Sequence, residues 1–216
     1  MKGYVVTLFN IPESVQVANR CIESGKKFNI EVVNWPGVWK DTSMKEMKNE
    51  GLTLAASETN FSNINAVVGN FVSQYRIWHK IKRSREPGIV LEHDAVFVDM
   101  VPHLVGDIIN IGKPSYGRYK SMRHPGIYSL FSKGGGYFPG AHGYYLTPRG
   151  ASILIEYAKN HGVAPCDLFL NKHNFPMALE LYPWIIEAQD SFSTIQKKAG
   201  CKAKHNWNSG RNFKLL

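Results

Sequence analysis

An α/β fold with a mostly parallel central sheet flanked by helices is what the sequence predicts, and three observations carry that prediction. Residues 4–34 read as strand, helix, strand; a helical pattern over 66–81 leads into a short apolar strand at 88–91; and that strand ends on the acidic segment Glu92-His93-Asp94. Strands alternating with helices are the pattern of crossover units that build parallel sheets.

The elements follow in order. Tyr4-Val5-Val6-Thr7-Leu8 is a β-branched and aromatic run suited to a buried strand. Pro12 suits the first turn of a helix with Asn10 as candidate cap, and Val15, Ala18, Cys21 and Ile22 recur at helical spacing up to a stop at Gly25. Phe28 to Asn34 reads as the second strand. Residues 35–63 show no clear period, with Trp35-Pro36-Gly37, a charged stretch from Lys45 to Glu50 and a polar one from Ser57. Helical spacing returns with Val67, Val68, Phe71, Val72, Tyr75, Trp78 and Ile81, and a basic run closed by Pro87 ends it. Gly88-Ile89-Val90-Leu91 is continuously apolar, as a central strand buried on both faces should be. Residues 113–143 are rich in glycine, aromatic and basic residues and read as a long functional loop. His142 to Leu146 resembles a strand, and Pro148 opens a helix reaching about Asn160. With no repeat and no linker, residues 1–216 read as one domain with a basic tail from about 197.

Composition narrows the class. The chain has 216 residues, 44% of them hydrophobic and 12% aromatic, enough for a substantial core. No stretch approaches the ~20 apolar residues that cross a bilayer, and the first residues read as a strand and not as a signal peptide. Cys21, Cys166 and Cys201 lack metal-ligand spacing, so reduced thiols and a cytoplasmic location are expected. A net charge of +9 has two readings: a polyanionic partner such as nucleic acid or a phosphorylated glycan, or a surplus that serves solubility.

Two carboxylates just past a buried strand are costly unless they meet water, hydrogen bonds or a cation. In open α/β sheets ligands bind beyond the carboxyl ends of the strands, where Glu92 and Asp94 fall. If the segment stays extended, alternate residues share a side. Together the two could hold Mg²⁺ or Mn²⁺ against the phosphates of a nucleotide. The alternative is a solvated strand end with two capping carboxylates.

At this point the sequence resembles glycosyltransferase family 25, the lipopolysaccharide-type and collagen galactosyltransferases. Gly88 to Val96 is similar to that family's strand and Glu-Asp-Asp segment, and Gly69 to Trp78 to its Gly-Cys-x-x-Ser-His helix. Gly140 to Ala151 resembles its Gly-Thr-His-Ala-Tyr strand with the following Gly-Ala helix, Pro165-Cys166-Asp167 its Pro-x-Asp step, and Tyr182-Pro183 and Ser193-Thr194-Ile195 its C-terminal part. The resemblance implies a GT-A fold and a metal-dependent, inverting transfer of a hexose, galactose or glucose, from a nucleotide-diphospho-sugar such as a UDP-sugar to a glycan hydroxyl. The chain departs from the family at His93 within the acidic triplet, at Asn70 and Gln74 in the helix motif, and at Phe9-Asn10-Ile11-Pro12, where the family has an arginine-rich turn.

From that resemblance, Glu92 and Asp94 are candidates for the metal and donor diphosphate, with His205 as a further metal ligand. Asp167 is the candidate base, or alternatively a helix cap. Thr7, Leu8 and Asn34 are candidates for the nucleobase pocket, and His142 and Tyr144 for acceptor or donor sugar. The aromatic and basic segment 116–138 is a candidate acceptor platform. Two further functions stay open: the same transfer onto a nucleic acid, and a non-catalytic relative that binds without turnover.

Overall fold

The computed structural model describes residues 1–55, 63–114, 118–134, 136, 138 and 141–188. In chain order these form β1 (Lys2–Thr7), α1 (Pro12–Lys27), β2 (Val32–Pro36), α2 (Lys40–Asn49), α3 (Ile64–Ser84), β3 (Gly88–Leu91) and β4 (Ala95–Phe97). There follow β5 (Ile108–Asn110), β6 (Gly126–Ser129), β7 (Gly143–Leu146), α4 (Pro148–His161), α5 (Cys166–Phe169), β8 (Leu179–Tyr182) and β9 (Ile186–Ala188).

The main sheet has seven strands in the order β2-β1-β3-β7-β5-β8-β6. Pairings β1–β2, β1–β3 and β5–β8 are parallel, and β3–β7, β5–β7 and β6–β8 are antiparallel. Five strands therefore share one direction while β7 and β6 oppose it. The sheet is mixed and leans parallel, in keeping with the expected mostly parallel sheet flanked by helices. The parallel half comes from the strand–helix–strand units read in the sequence, and β7 enters antiparallel beside β3.

Period-2 alternation divides the core between the two faces of the sheet. Tyr4, Val6 and Val90 face the cluster built with Phe71, Trp78 and Ile81 of α3 and Leu154 of α4. Val5, Ile89 and Leu91 face the other cluster, with Ala18 and Cys21 of α1 and Phe97 of β4. Helices thus cover both faces, as the buried strand β3 requires.

Local signals were read with small displacements. The cap of α1 falls on Ile11 with no side-chain hydrogen bond, not on Asn10, and Pro12 holds the first turn. Gly25 does not stop the helix; a Cβ there would lie 2.6 Å from Val32 Cγ2, so its lack of a side chain lets α1 pack on β2. Helix α2 was not foreseen, because of its residues only Ser43 and Met47 are buried, too narrow an apolar stripe to recognise. It is clamped to α3 by Arg76, whose guanidinium reaches Glu46 at 2.7 Å and Glu50 at 2.6 Å. Thr147 caps α4 by accepting from the Gly150 amide at 3.0 Å.

A second, two-stranded sheet pairs β4 with β9 in antiparallel fashion, Ala95 opposite Ala188. It lies directly after the acidic segment. Among the described residues no helix is long and apolar enough to cross a membrane.

Candidate active site

The carboxyl ends of β1, β2 and β3 lie on one edge of the sheet, and the start of β7 joins them because Leu91 is opposite Gly143. The Glu92 amide donates to the His142 carbonyl at 3.1 Å, extending the β3–β7 ladder by one step. The chain then turns at once, with the Ala95 amide donating back to the Glu92 carbonyl at 3.1 Å. The extended conformation expected for 92–94 is therefore replaced by a tight turn, and the two carboxylates reach their neighbours from different directions. His93 lies toward the start of α1, its Nδ1 3.2 Å from Ser14 Oγ, which in turn accepts from the Leu8 amide at 3.0 Å.

Glu92 leans on α3. Asn70 Nδ2 donates to Glu92 Oε1 at 2.9 Å, and Gln74 Nε2 lies 3.5 Å from the same oxygen while donating to Asn70 Oδ1 at 3.1 Å. Behind them Tyr144 donates its hydroxyl proton to Gln74 Oε1 at 2.8 Å and accepts from Trp78 Nε1 at 2.6 Å. The four side chains form a continuous rail from the buried core, through Trp78, Tyr144 and Gln74, to the half-buried Asn70 and the Glu92 carboxylate. Tyr144 is fully buried, so it supports the site from below and does not meet a sugar directly as expected.

Asp94 leans on α1. Its Oδ1 is buried without a hydrogen-bond partner, and so are Nε and Nη2 of Arg20. Burial raises Asp94 to about 6, opposed by a hydrogen bond from its own backbone and by the Arg20 charge. Burial, then the neighbouring Asp94 charge, raises Glu92 to about 8, with the Asn70 hydrogen bond pulling it down and Asp167 adding repulsion. Arg20 is itself lowered by burial and held up by Asp94. Two carboxylates crowded in this way hold negative charge that the surrounding protein only partly offsets.

The structure brings Asp167 to this centre. It lies in the first turn of α5, its Oδ1 accepts from the Leu168 amide at 3.1 Å, and its charge is felt at Glu92. The helix-cap alternative does not hold: the cap of α5 is Pro165, and Asp167 lies within the first turn. His142 is buried, with its Nε2 unpartnered and held below its ordinary value, at about 4, by desolvation against a hydrogen bond to the Lys113 backbone. A Cβ at Gly112 would lie 2.8 Å from that Nε2, so the missing side chain makes room for the ring. Thr7 is buried and donates to Asn34 Oδ1 at 2.7 Å, tying the ends of β1 and β2 beside Leu8. His205 lies outside the described residues.

Asn70, Gln74 and Arg20 were not among the expected site residues. A signal existed for the first two: polar residues four apart on an otherwise apolar helix share one face. Arg20 carries a weaker one, a cation set between the buried positions Val17 and Cys21.

A hard divalent cation fits the orphaned Asp94 oxygen and the raised Glu92 carboxyl, since it would offset the charge that burial penalises. Among the described residues no group of three or more His, Cys, Asp or Glu is arranged to enclose a metal by itself. The remaining oxygens would come from phosphate and water, as Mg²⁺ commonly arranges. No protein-family model matches the chain, and no curated protein matches it.

Proposed function

We propose that this chain is a nucleotide-sugar-dependent glycosyltransferase of the GT-A type, moving a hexose from a donor such as a UDP-sugar onto an acceptor hydroxyl with inversion. The observation that carries this reading is the pair of carboxylates just past β3, Glu92 gripped by Asn70 and Asp94 with an unpartnered oxygen, with the Asp167 charge on α5 repelling Glu92. The mixed sheet, with β7 running against β3 and a small sheet after the acidic turn, supports it.

Each residue has a task in that reading. Thr7 orients the half-exposed Asn34 amide for a nucleobase, with Leu8 beside it. Glu92 and Asp94 would hold Mn²⁺ or Mg²⁺, which when bound neutralises the charge on the departing nucleoside diphosphate. The rail from Trp78 through Tyr144, Gln74 and Asn70 fixes the angle of Glu92. Asp167 accepts the proton of the acceptor hydroxyl as its oxygen bonds to the anomeric carbon. The bond from that carbon to the diphosphate breaks, its electron pair leaves with the diphosphate, and attack from the opposite side inverts the centre. His142, kept neutral, packs the floor beside Glu92.

The test is a thermal-shift panel of UDP, GDP, CMP and ADP and their sugar forms, each with Mn²⁺ and with EDTA. One nucleotide class should raise the melting temperature only with Mn²⁺, by an amount equivalent to about 2.7 kcal/mol at 100 times Kd. Asp94→Asn should abolish the shift. A shift indifferent to both EDTA and Asp94→Asn would sink the assignment.

A further inference from the structure

The opposite end of the same sheet edge carries a surface of different chemistry. Because β3, β5 and β8 run in one direction and β6 opposes them, Tyr182 at the end of β8 and the residues leading into Gly126 of β6 lie on the edge that carries Glu92. The two regions are four strand spacings apart, roughly 19 Å. On this surface Arg118, Tyr119, Lys120, Arg123 and His124 are all exposed. Arg118, Lys120 and Arg123 make no ion pair among the described residues.

Rings are set among these cations. Trp184 stacks on Phe131 with centroids 5.9 Å apart and planes at 22°, and Tyr119 meets Trp184 edge-on at 5.5 Å. The group is anchored from below by Glu180, which is buried. Its Oε1 accepts from Trp184 Nε1 at 2.9 Å and Asn110 Nδ2 at 3.1 Å, and its Oε2 from the amides of Phe131 and Ser132 at 2.9 and 3.0 Å. Glu180 therefore spends its charge inward and fixes the platform before any ligand arrives.

What the segment lacks identifies the ligand. Residues 111–155 contain Lys113, Arg118, Lys120, Arg123, Lys133 and Arg149 but no Asp, Glu, Asn or Gln. Sugar hydroxyls are gripped best by planar carboxylate and amide groups, which donate and accept in pairs. Phosphates need cations, and bases need aromatic faces. We propose that this surface binds a nucleic-acid strand, with phosphates on Arg118, Lys120 and Arg123 and a base against Tyr119, and so presents an acceptor hydroxyl carried by that strand to the carboxylate centre. The proposal rests on the glycosyltransferase reading and names its acceptor class.

The experiment is fluorescence anisotropy of the full chain with a labelled single-stranded 20-nucleotide oligomer between 50 and 200 mM salt, run beside the Mn²⁺–nucleotide thermal shift. Combining Arg118→Gln, Lys120→Gln and Arg123→Gln should weaken binding at least tenfold at ~100 mM salt and make the log–log salt slope shallower by about 2, at ~0.7 per phosphate contact. Tyr119→Ala should cost fivefold or more with the slope unchanged, since a stacked base is worth ~1–3 kcal/mol. The thermal shift should persist in all these variants, and Asp94→Asn should still bind the oligomer. Wild-type affinity in the triple variant would overturn the proposal. So would a phosphorylated oligosaccharide of equal charge that binds as tightly and ignores Tyr119→Ala. A wild-type protein that shows the thermal shift but binds no oligomer defeats this proposal alone; a wild-type protein that binds the oligomer but shows no Mn²⁺-dependent shift defeats the glycosyltransferase reading instead.

Discussion

Asn70 holds Glu92 through a 2.9 Å hydrogen bond that joins the middle of α3 to the first residue beyond β3. Gln74, one turn further along, stands 3.5 Å from the same oxygen, so Asn70 carries the contact. Asn70→Ala should destabilise the protein by about 1.5–3 kcal/mol, the usual range for a hydrogen bond to a charged group. Urea denaturation at pH 8 checks this, and an unchanged midpoint would remove Asn70 from the site.

Tyr144 gives a second test of the same rail. Tyr144→Phe removes the hydroxyl that accepts from Trp78 and donates to Gln74, leaving two buried polar atoms without partners. A loss of about 1–3 kcal/mol is expected, together with weaker metal-dependent nucleotide binding as Gln74 and Asn70 lose their backing. Lost stability with unchanged nucleotide affinity would confine Tyr144 to the core.

The pH dependence has a definite sign. Glu92 is raised from 4.5 to about 8, so its contribution to stability is complete below 4.5 and is lost as pH rises through 8. Asp94, raised from 3.8 to about 6, acts in the same sense over a lower window. His142 is lowered from 6.5 to about 4, so its contribution is present above 6.5 and is lost as pH falls through 4. Between 6.5 and 8 the Glu92 contribution dominates the three. The melting temperature in EDTA should therefore fall across that window. Glu92→Gln should flatten the fall, and saturating Mn²⁺ should reverse it. A flat wild-type profile would show that Glu92 is ionised without penalty.

His142 can be isolated on the acid side. Of the three groups only His142 costs stability as pH falls from 6.5 to 4.5. His142→Gln should therefore make the melting temperature rise more steeply toward acid over that window, although the variant starts from a lower value. An identical acid limb would show that His142 titrates normally.

Long apolar runs made β1, α1, α3, β3, β7 and α4 legible in the sequence, because each carries its own period. Strands β5, β6 and β8 were not, since no helix signal frames them and their pairing depends on distant segments. The site was half legible. Glu92 and Asp94 stand just past β3 as the sequence places them, and the charge of Asp167 acts on Glu92. The sharp turn at 92–95 was hidden because nothing in Glu-His-Asp-Ala marks a reversal. The spacing of Asn70 and Gln74 was visible, but that they grip Glu92 follows only from how α3 lies against β3.

The pairing of Ala95 with Ala188 sets the end of β9 apart from the start of β1. β9 brings the backbone at Ala188 opposite Ala95, the residue that follows Asp94. Lys2 starts β1 opposite Gly88, at the far edge of the sheet. A label placed ahead of β1 therefore enters the fold at the sheet edge opposite the one that carries Glu92.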